Sequence, residues 1–182
     1  LSGGDGNDTL HGGNGTDNMS GGSGNDICYV NSTSDVVTEN SSEGTDLIYS
    51  SVSFTASSNV ENLTLTGSGN INATGNSLNN ILTGNNANNI LNGGLGNDSM
   101  LGGAGNDTYY VNSTSDEVTE NSSQGTDLIY SSVSFAASSN VENLTLIGSE
   151  NINGNGNTMV NTITGNSGNN NLVGGGASDT LI

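Results

Sequence analysis

Aspartates nine residues apart, each closing a glycine-rich hexapeptide, are the residues of this chain best placed to do chemistry. Three consecutive units carry the pattern: Gly3-Gly4-Asp5-Gly6-Asn7-Asp8-Thr9-Leu10-His11, then Gly12-Gly13-Asn14-Gly15-Thr16-Asp17-Asn18-Met19-Ser20, then Gly21-Gly22-Ser23-Gly24-Asn25-Asp26-Ile27-Cys28-Tyr29. A glycine-rich turn leaves its main-chain carbonyls unobstructed, and the aspartate adds a carboxylate. Hard cations of the calcium type take six to eight such oxygens at about 2.3–2.6 Å. One turn supplies only half a shell, so two turns must be held side by side. Aspartates that merely make Asx-type hydrogen bonds do not require this hexapeptide at a fixed interval.

The common pattern is G-G-x-G-x-D-x-U-x, with U apolar, and over the whole chain it resembles the RTX (repeats-in-toxin, haemolysin-type) family of nonapeptide repeats. The resemblance implies an all-β fold, a right-handed parallel β-roll or β-solenoid with two nonapeptides per coil. It also implies several Ca2+ ions, each held between loops two units apart. Carried onto this sequence, the metal-ligating positions are Asp8, Asp17, Asp26, Asp35, Asp98, Asp107, Asp116 and Asp179. The turn glycines beside them are Gly4, Gly6, Gly13, Gly15, Gly22, Gly24, Gly94, Gly96, Gly103 and Gly105. Asp8 with Asp26 is the best pair, because both of its loops are rich in glycine. Asp17 with Asp35 and Asp98 with Asp116 are poorer, because loops 30–35 and 111–116 contain none. Asp107 follows a good loop, but its partners are Asn89 behind and a displaced Asp127 ahead. Asp46, two positions off the repeat, is either a partner for Asp26 or an ordinary turn residue, and Asp127 has the same two readings.

The elements that must position these residues are short. In each unit six residues turn and three form a strand, whose alternation points U inward. The inward set is Leu10, Met19, Cys28, Ala73, Leu82, Leu91, Met100, Tyr109, Ile163, Leu172 and Leu181. Ile48, Val52 and Phe54 alternate too, as do Ile129, Val133 and Phe135, so longer strands are expected there. One continuous roll over 1–182 is expected, with regular units at 3–29, 93–110 and 174–182 and longer-strand segments at 36–61 and 117–142. The nine-residue phase runs from Asp35 to Asn62 although the motif is absent between them. Asn62 and Asn143 stand on the same lattice, and Asn80, Asn89, Asn161 and Asn170 replace the aspartate in their turns. Those turns read as metal-free, closed by amides that stack from coil to coil.

A longer repeat lies over the short one. Segments 30–67 and 111–148 differ at only four positions, and the offset between them is nine nonapeptides. Nine nonapeptides make four and a half coils, so the second copy should lie half a turn round the roll from the first.

Composition narrows the partners. The chain has 18 acidic residues, no Lys and no Arg, for a formal charge of −18. Its self-repulsion must be relieved by cations from solution. Nucleic acid is excluded by the lack of any basic surface. Membrane insertion is not expected either, because no apolar stretch is long enough to span a bilayer. Only 30% of residues are hydrophobic, which with this charge would ordinarily mean disorder. The repeat argues instead for folding that depends on metal. Cys28 stands alone, excluding an internal disulfide, and reads as a small buried hydrophobe. His11 reads as an exposed outward residue. No nucleophile–base set is present, so catalysis is not expected.

Three functional readings follow. The leading one is a calcium-binding structural segment of a secreted or cell-surface bacterial protein, serving as stalk, fibre or surface-layer material. The resemblance implies type I export and folding on extracellular calcium. Self-association or end-to-end stacking would extend such a fibre. The second is an accessory roll of a secreted protease or lipase whose catalytic domain lies elsewhere. The third, an ice-binding solenoid, needs a uniform outward file, and Thr9, Asn18, Ile27, Ser99 and Thr108 are too mixed to form one.

Overall fold

The computed structural model describes residues 1–182 and contains strands but no helix. Every strand pair is parallel, and in regular stretches the register step is two nonapeptides, as in Thr9 opposite Ile27 and Ile90 opposite Thr108. Successive strands alternate between two walls. One wall is a seven-stranded sheet continued by a three-stranded one, and the other is a three-stranded sheet continued by an eight-stranded one. The result is a β-solenoid of about ten coils, of the β-roll type. The crossover between parallel neighbours, ordinarily a helix, is here simply the strand of the opposite wall.

Each coil contributes few apolar side chains, and stacking makes them continuous. Leu10, Cys28, Ile48, Leu63, Leu82, Met100 and Val118 lie in register down one wall. Ala73, Leu91, Tyr109, Ile129, Leu144 and Ile163 do the same down the other. All belong to one cluster of 24 buried residues. Full burial of a residue such as Leu82 contributes about 1.5–3 kcal/mol. The expected inward set is buried from Leu10 to Ile163, whereas Leu172 is half-buried and Leu181 is 49% exposed.

Glycine is required by the backbone at the turns. The ten turn glycines named above all have φ between 88° and 128°, a region costly for residues with a Cβ. At Gly24 a Cβ would also run into the carbonyl oxygen of Gly6 one coil back.

Two expectations are corrected. The longer strand through Ile48, Val52 and Phe54 is two strands, Leu47–Ser50 and Phe54–Thr55, in different sheets. Ser50 Oγ donates to the Val52 carbonyl at 2.7 Å and accepts the Val52 N–H at 3.3 Å, turning the chain between walls. Ser131 turns it identically before Phe135. A wall is only a few residues wide, so the alternation persists through a corner. Second, the phase does slip. Ile27 pairs with Leu47, Leu47 with Asn62 and Asn62 with Ile81. Against a regular coil, the first step is longer by two positions, the second shorter by three and the third longer by one. Together they span the length of three regular coils, which restores the count. Within the slip Asn62 is displaced by one, and Glu61 stands where the ladder of aspartates passes. Glu142 replaces Asn143 in the same way.

The two long copies lie on opposite walls. Ile27–Val30 belongs to the seven-stranded sheet and its counterpart Thr108–Val111 to the eight-stranded one. Leu82→Ala should lower unfolding stability by about 2–5 kcal/mol, measured by urea denaturation in calcium. Ile81→Ala, at an outward position 54% exposed, should cost less than about 1 kcal/mol.

Candidate metal sites

The turns form two rows, one along each edge of the roll. Within a row, one contact recurs from each loop to the next. The N–H of an aspartate donates to the Oδ1 of the aspartate one coil on: Asp8 to Asp26 at 2.7 Å, Asp17 to Asp35 at 3.0 Å, and Asp98 to Asp116 at 2.9 Å. Asn80 donates in the same way to Asp98, Asn89 to Asp107, and Asn161 to Asp179.

The other carboxylate oxygen has no such use. Oδ2 of Asp8, Asp17, Asp26, Asp98 and Asp107 is buried and without a hydrogen-bond partner. Each points at the first glycine of its own loop. A methyl group at Gly3, Gly12, Gly21, Gly93, Gly102 or Gly174 would collide with Oδ2 of Asp8, Asp17, Asp26, Asp98, Asp107 or Asp179, respectively. An unpaired buried carboxylate oxygen is costly, and the chain has no Lys or Arg to pair it. The donors are hard oxygens, which suits Ca2+ and not a soft metal. The residues therefore fit the ion that the repeat implies.

The poorer pairs differ in a specific way. In Asp35 the second oxygen accepts the N–H groups of Asn31 and Ser32, both at 3.1 Å, and in Asp116 those of Asn112 and Ser113, both at 3.0 Å. Asn31 Nδ2 also donates to the Gly13 carbonyl at 2.7 Å, and Asn112 Nδ2 donates to that of Gly94. A side-chain amide there takes up an oxygen of the facing glycine turn. In the asparagine turns amides do all of this work. Asn76 Nδ2 donates to the carbonyls of Ser57 and Val60, both at 2.7 Å, Asn80 Nδ2 to that of Val60 at 2.9 Å, and Asn157 and Asn161 repeat the arrangement.

The two readings of Asp46 and Asp127 are separated by their position. The Asp26 N–H donates to Asp46 Oδ1, and the Asp107 N–H to Asp127 Oδ1, each at 2.8 Å. Both displaced residues thus stand in the aspartate ladder, because the loops before them, 39–46 and 120–127, are two positions longer than a regular turn. The geometry also brings in residues that sequence reasoning missed. Glu39 and Glu120 are buried beside these aspartates. Their signal was phase, since Glu39 lies two units after Gly21 and Glu120 two units after Gly102, an acid where a first glycine should be.

Burial raises the acids here. Asp107 is pushed up to about 6, with the charge of Asp127 adding to the effect. Glu120 is pushed up to about 7 by burial, with Asp127 and Asp107 adding. Burial also shifts Glu39, Asp46, Asp98 and Asp127 upward. The Cys28 thiol rises to about 12 for the same reason and stays protonated. His11 is exposed and stacks on Tyr29 at 4.1 Å between ring centroids, away from the carboxylate ladders.

Residues 1–36, 74–109 and 155–182, more than half of the chain, match the family model of the RTX calcium-binding nonapeptide repeat (4 copies). The chain belongs to the RTX calcium-binding repeat family. No curated protein and no solved structure matches it significantly. As an RTX solenoid it is a calcium-binding repeat segment, and the matched stretches contain every regular aspartate loop described above. Glu39, Asp46, Glu120 and Asp127 lie outside them.

The raised acids predict a pH dependence for the metal-free chain. A carboxyl whose value rises on folding favours the folded state while protonated. That contribution is complete below the unfolded value of about 4, and it is lost as pH rises through 6 for Asp107 and 7 for Glu120. In chelator, the strand signal by circular dichroism should therefore be stronger near pH 5 than near pH 8, and saturating calcium should remove the difference.

Proposed function

We propose that this chain is a calcium-folded structural segment of a secreted or cell-surface bacterial protein, part of a stalk, fibre or surface layer. One observation carries the reading. Five buried aspartate oxygens, repeated along the turns, have no partner in a chain of charge −18 without a single Lys or Arg. The rolled state concentrates negative charge that the chain cannot neutralise, and an ion held between coils converts binding energy into folding energy. Extracellular calcium modules bind at about 10⁻⁴–10⁻³ M. In a cytosol poor in calcium the chain stays unfolded and suited to export, and outside the cell it folds.

The continuous stacking of coils supports a spacer. Outward aromatic stacks, His11–Tyr29–Tyr49 and Tyr110–Tyr130, lie on opposite walls and offer rigid surfaces for lateral association of rolls.

Circular dichroism during calcium titration tests the proposal. Strand signal should grow over about 0.1–1 mM calcium and vanish on chelation, and a signal indifferent to chelator at neutral pH would sink it. Replacing both Asp8 and Asp26 by Ala should lower the number of bound ions measured by equilibrium dialysis. An unchanged number removes that pair from the assignment.

A further inference from the structure

The two longer loops build something that a regular nonapeptide lacks. Between loops 3–8 and 21–26 the ladder supplies two carboxylates, Asp8 and Asp26. Between 21–26 and 39–46 there are three, because Glu39 joins Asp26 and Asp46, with one oxygen of each lying within 4.8 Å of the others. The second copy assembles Asp107, Glu120 and Asp127 under the same limit, on the opposite edge of the roll. All six residues are at most 5% exposed. The extra glutamate enters at the glycine cradle: a methyl group at Gly21 would meet both Asp26 Oδ2 and Glu39 Oε1, and one at Gly102 would meet Asp107 Oδ2 and Glu120 Oε1.

The oxygens of these clusters are not used up within the protein. Asp26 Oδ2, Asp107 Oδ2 and Glu120 Oε2 are buried and unpartnered. Glu39 accepts the N–H groups of Gly21 and Gly22 at 2.9 and 3.2 Å. Glu120 instead accepts the Tyr109 hydroxyl, which leaves its second oxygen free. Three carboxylates this close and this dry repel one another strongly. No basic side chain exists in the molecule to offset them.

We propose that Asp26–Glu39–Asp46 and Asp107–Glu120–Asp127 are divalent-cation sites distinct from those of the nonapeptide pairs, with Glu39 and Glu120 as their defining ligands. The proposal rests on the reading of the roll as calcium-folded, and it assigns the ions to loops that the nonapeptide pattern does not describe. Three carboxylates offer three to six of the six to eight oxygens that calcium takes. They also carry one negative charge more than a regular pair, so these sites fill first as calcium rises. The second site is the tighter, because two of its oxygens are buried and unpartnered against one in the first. In a tandem array the two sites pin the roll once per long repeat, on alternate edges.

Glu39→Gln and Glu120→Gln keep side-chain size and remove the ligand charge. Each should weaken the tightest class of calcium sites in isothermal titration at least about tenfold, or remove one ion, while strand content at saturating calcium is kept. Glu43→Gln removes a charge from the same loop and installs the residue the second copy carries at Gln124. It should leave the number of ions unchanged and weaken binding much less than Glu39→Gln does. Terbium provides a readout on the folded wild-type chain. Tyr109 is the tyrosine bonded to a proposed ligand, so tyrosine-sensitised terbium emission should fall sharply in Tyr109→Phe and Glu120→Gln. Calcium binding in the wild type with identical stoichiometry and affinity in both glutamine variants overturns the two sites alone, and terbium emission independent of Tyr109 overturns the second of them. A wild-type chain that binds no calcium overturns these sites and the calcium-folded reading together.

Discussion

The hydrogen bond from one aspartate N–H to the next aspartate's Oδ1 organises this molecule. It fixes the loops of adjacent coils at one spacing, and it turns the second carboxylate oxygen into the interior of the turn. The same contact that stacks the coils therefore creates buried negative charge. In a chain without a positive side chain, that charge has three outlets: a proton, a main-chain or amide N–H, or a cation from solution. All three are visible in the chemistry. Burial raises the carboxyls of Asp107 and Glu120 toward neutral pH. N–H groups of Asn31 and Ser32 close Asp35. The remaining oxygens, aimed at the glycine cradles, fit a hard metal ion.

Asparagine and aspartate thus divide the roll between them. An asparagine turn is self-sufficient, because the Asn76 and Asn80 amides donate to the carbonyls one coil back. A glycine-rich aspartate turn has no such donor, and its unpartnered oxygen fits an external cation. Alternating the two along the axis yields a solenoid with stretches that stack on amides and stretches that respond to calcium. The core contributes little selectivity, because Leu82, Met100 and Val118 form a column of ordinary buried apolar side chains. Its role is to keep the walls parallel while the edges carry the chemistry. The duplicated module sets the larger rhythm, since nine nonapeptides make a half-integral number of coils and each copy faces away from the last.

Much of this was legible in the residues. Wherever the unit is regular, spacing alone located the turn, the inward residue and the acid, and all ten turn glycines adopt the positive φ that explains their presence. The legible part ended at residues 36–61 and 117–142. There the alternation of Ile48, Val52 and Phe54 looked like one strand. Alternation reports which side of a backbone faces the core, and it continues unchanged when the backbone rounds a corner at Ser50. Phase counting failed for a related reason. A step longer by two positions, one shorter by three and one longer by one cancel only over three coils, so Asn62 seemed to keep step while Glu61 held the place.

The sequence by itself determined the class of fold, the position of every regular turn and an excess of negative charge with no internal counter-charge. Those follow from local rules: a fixed nonapeptide period, glycine where φ must be positive, and charge with no counter-charge. Only the tertiary structure decided which acids meet. Neither Glu39 nor Asp46 stands a whole number of nonapeptides from Asp26. They come together because stacking superimposes Glu39 on Gly21, while an extended loop delivers Asp46 to the ladder. Register between coils is a property of whole walls packed against each other, and no single turn encodes it.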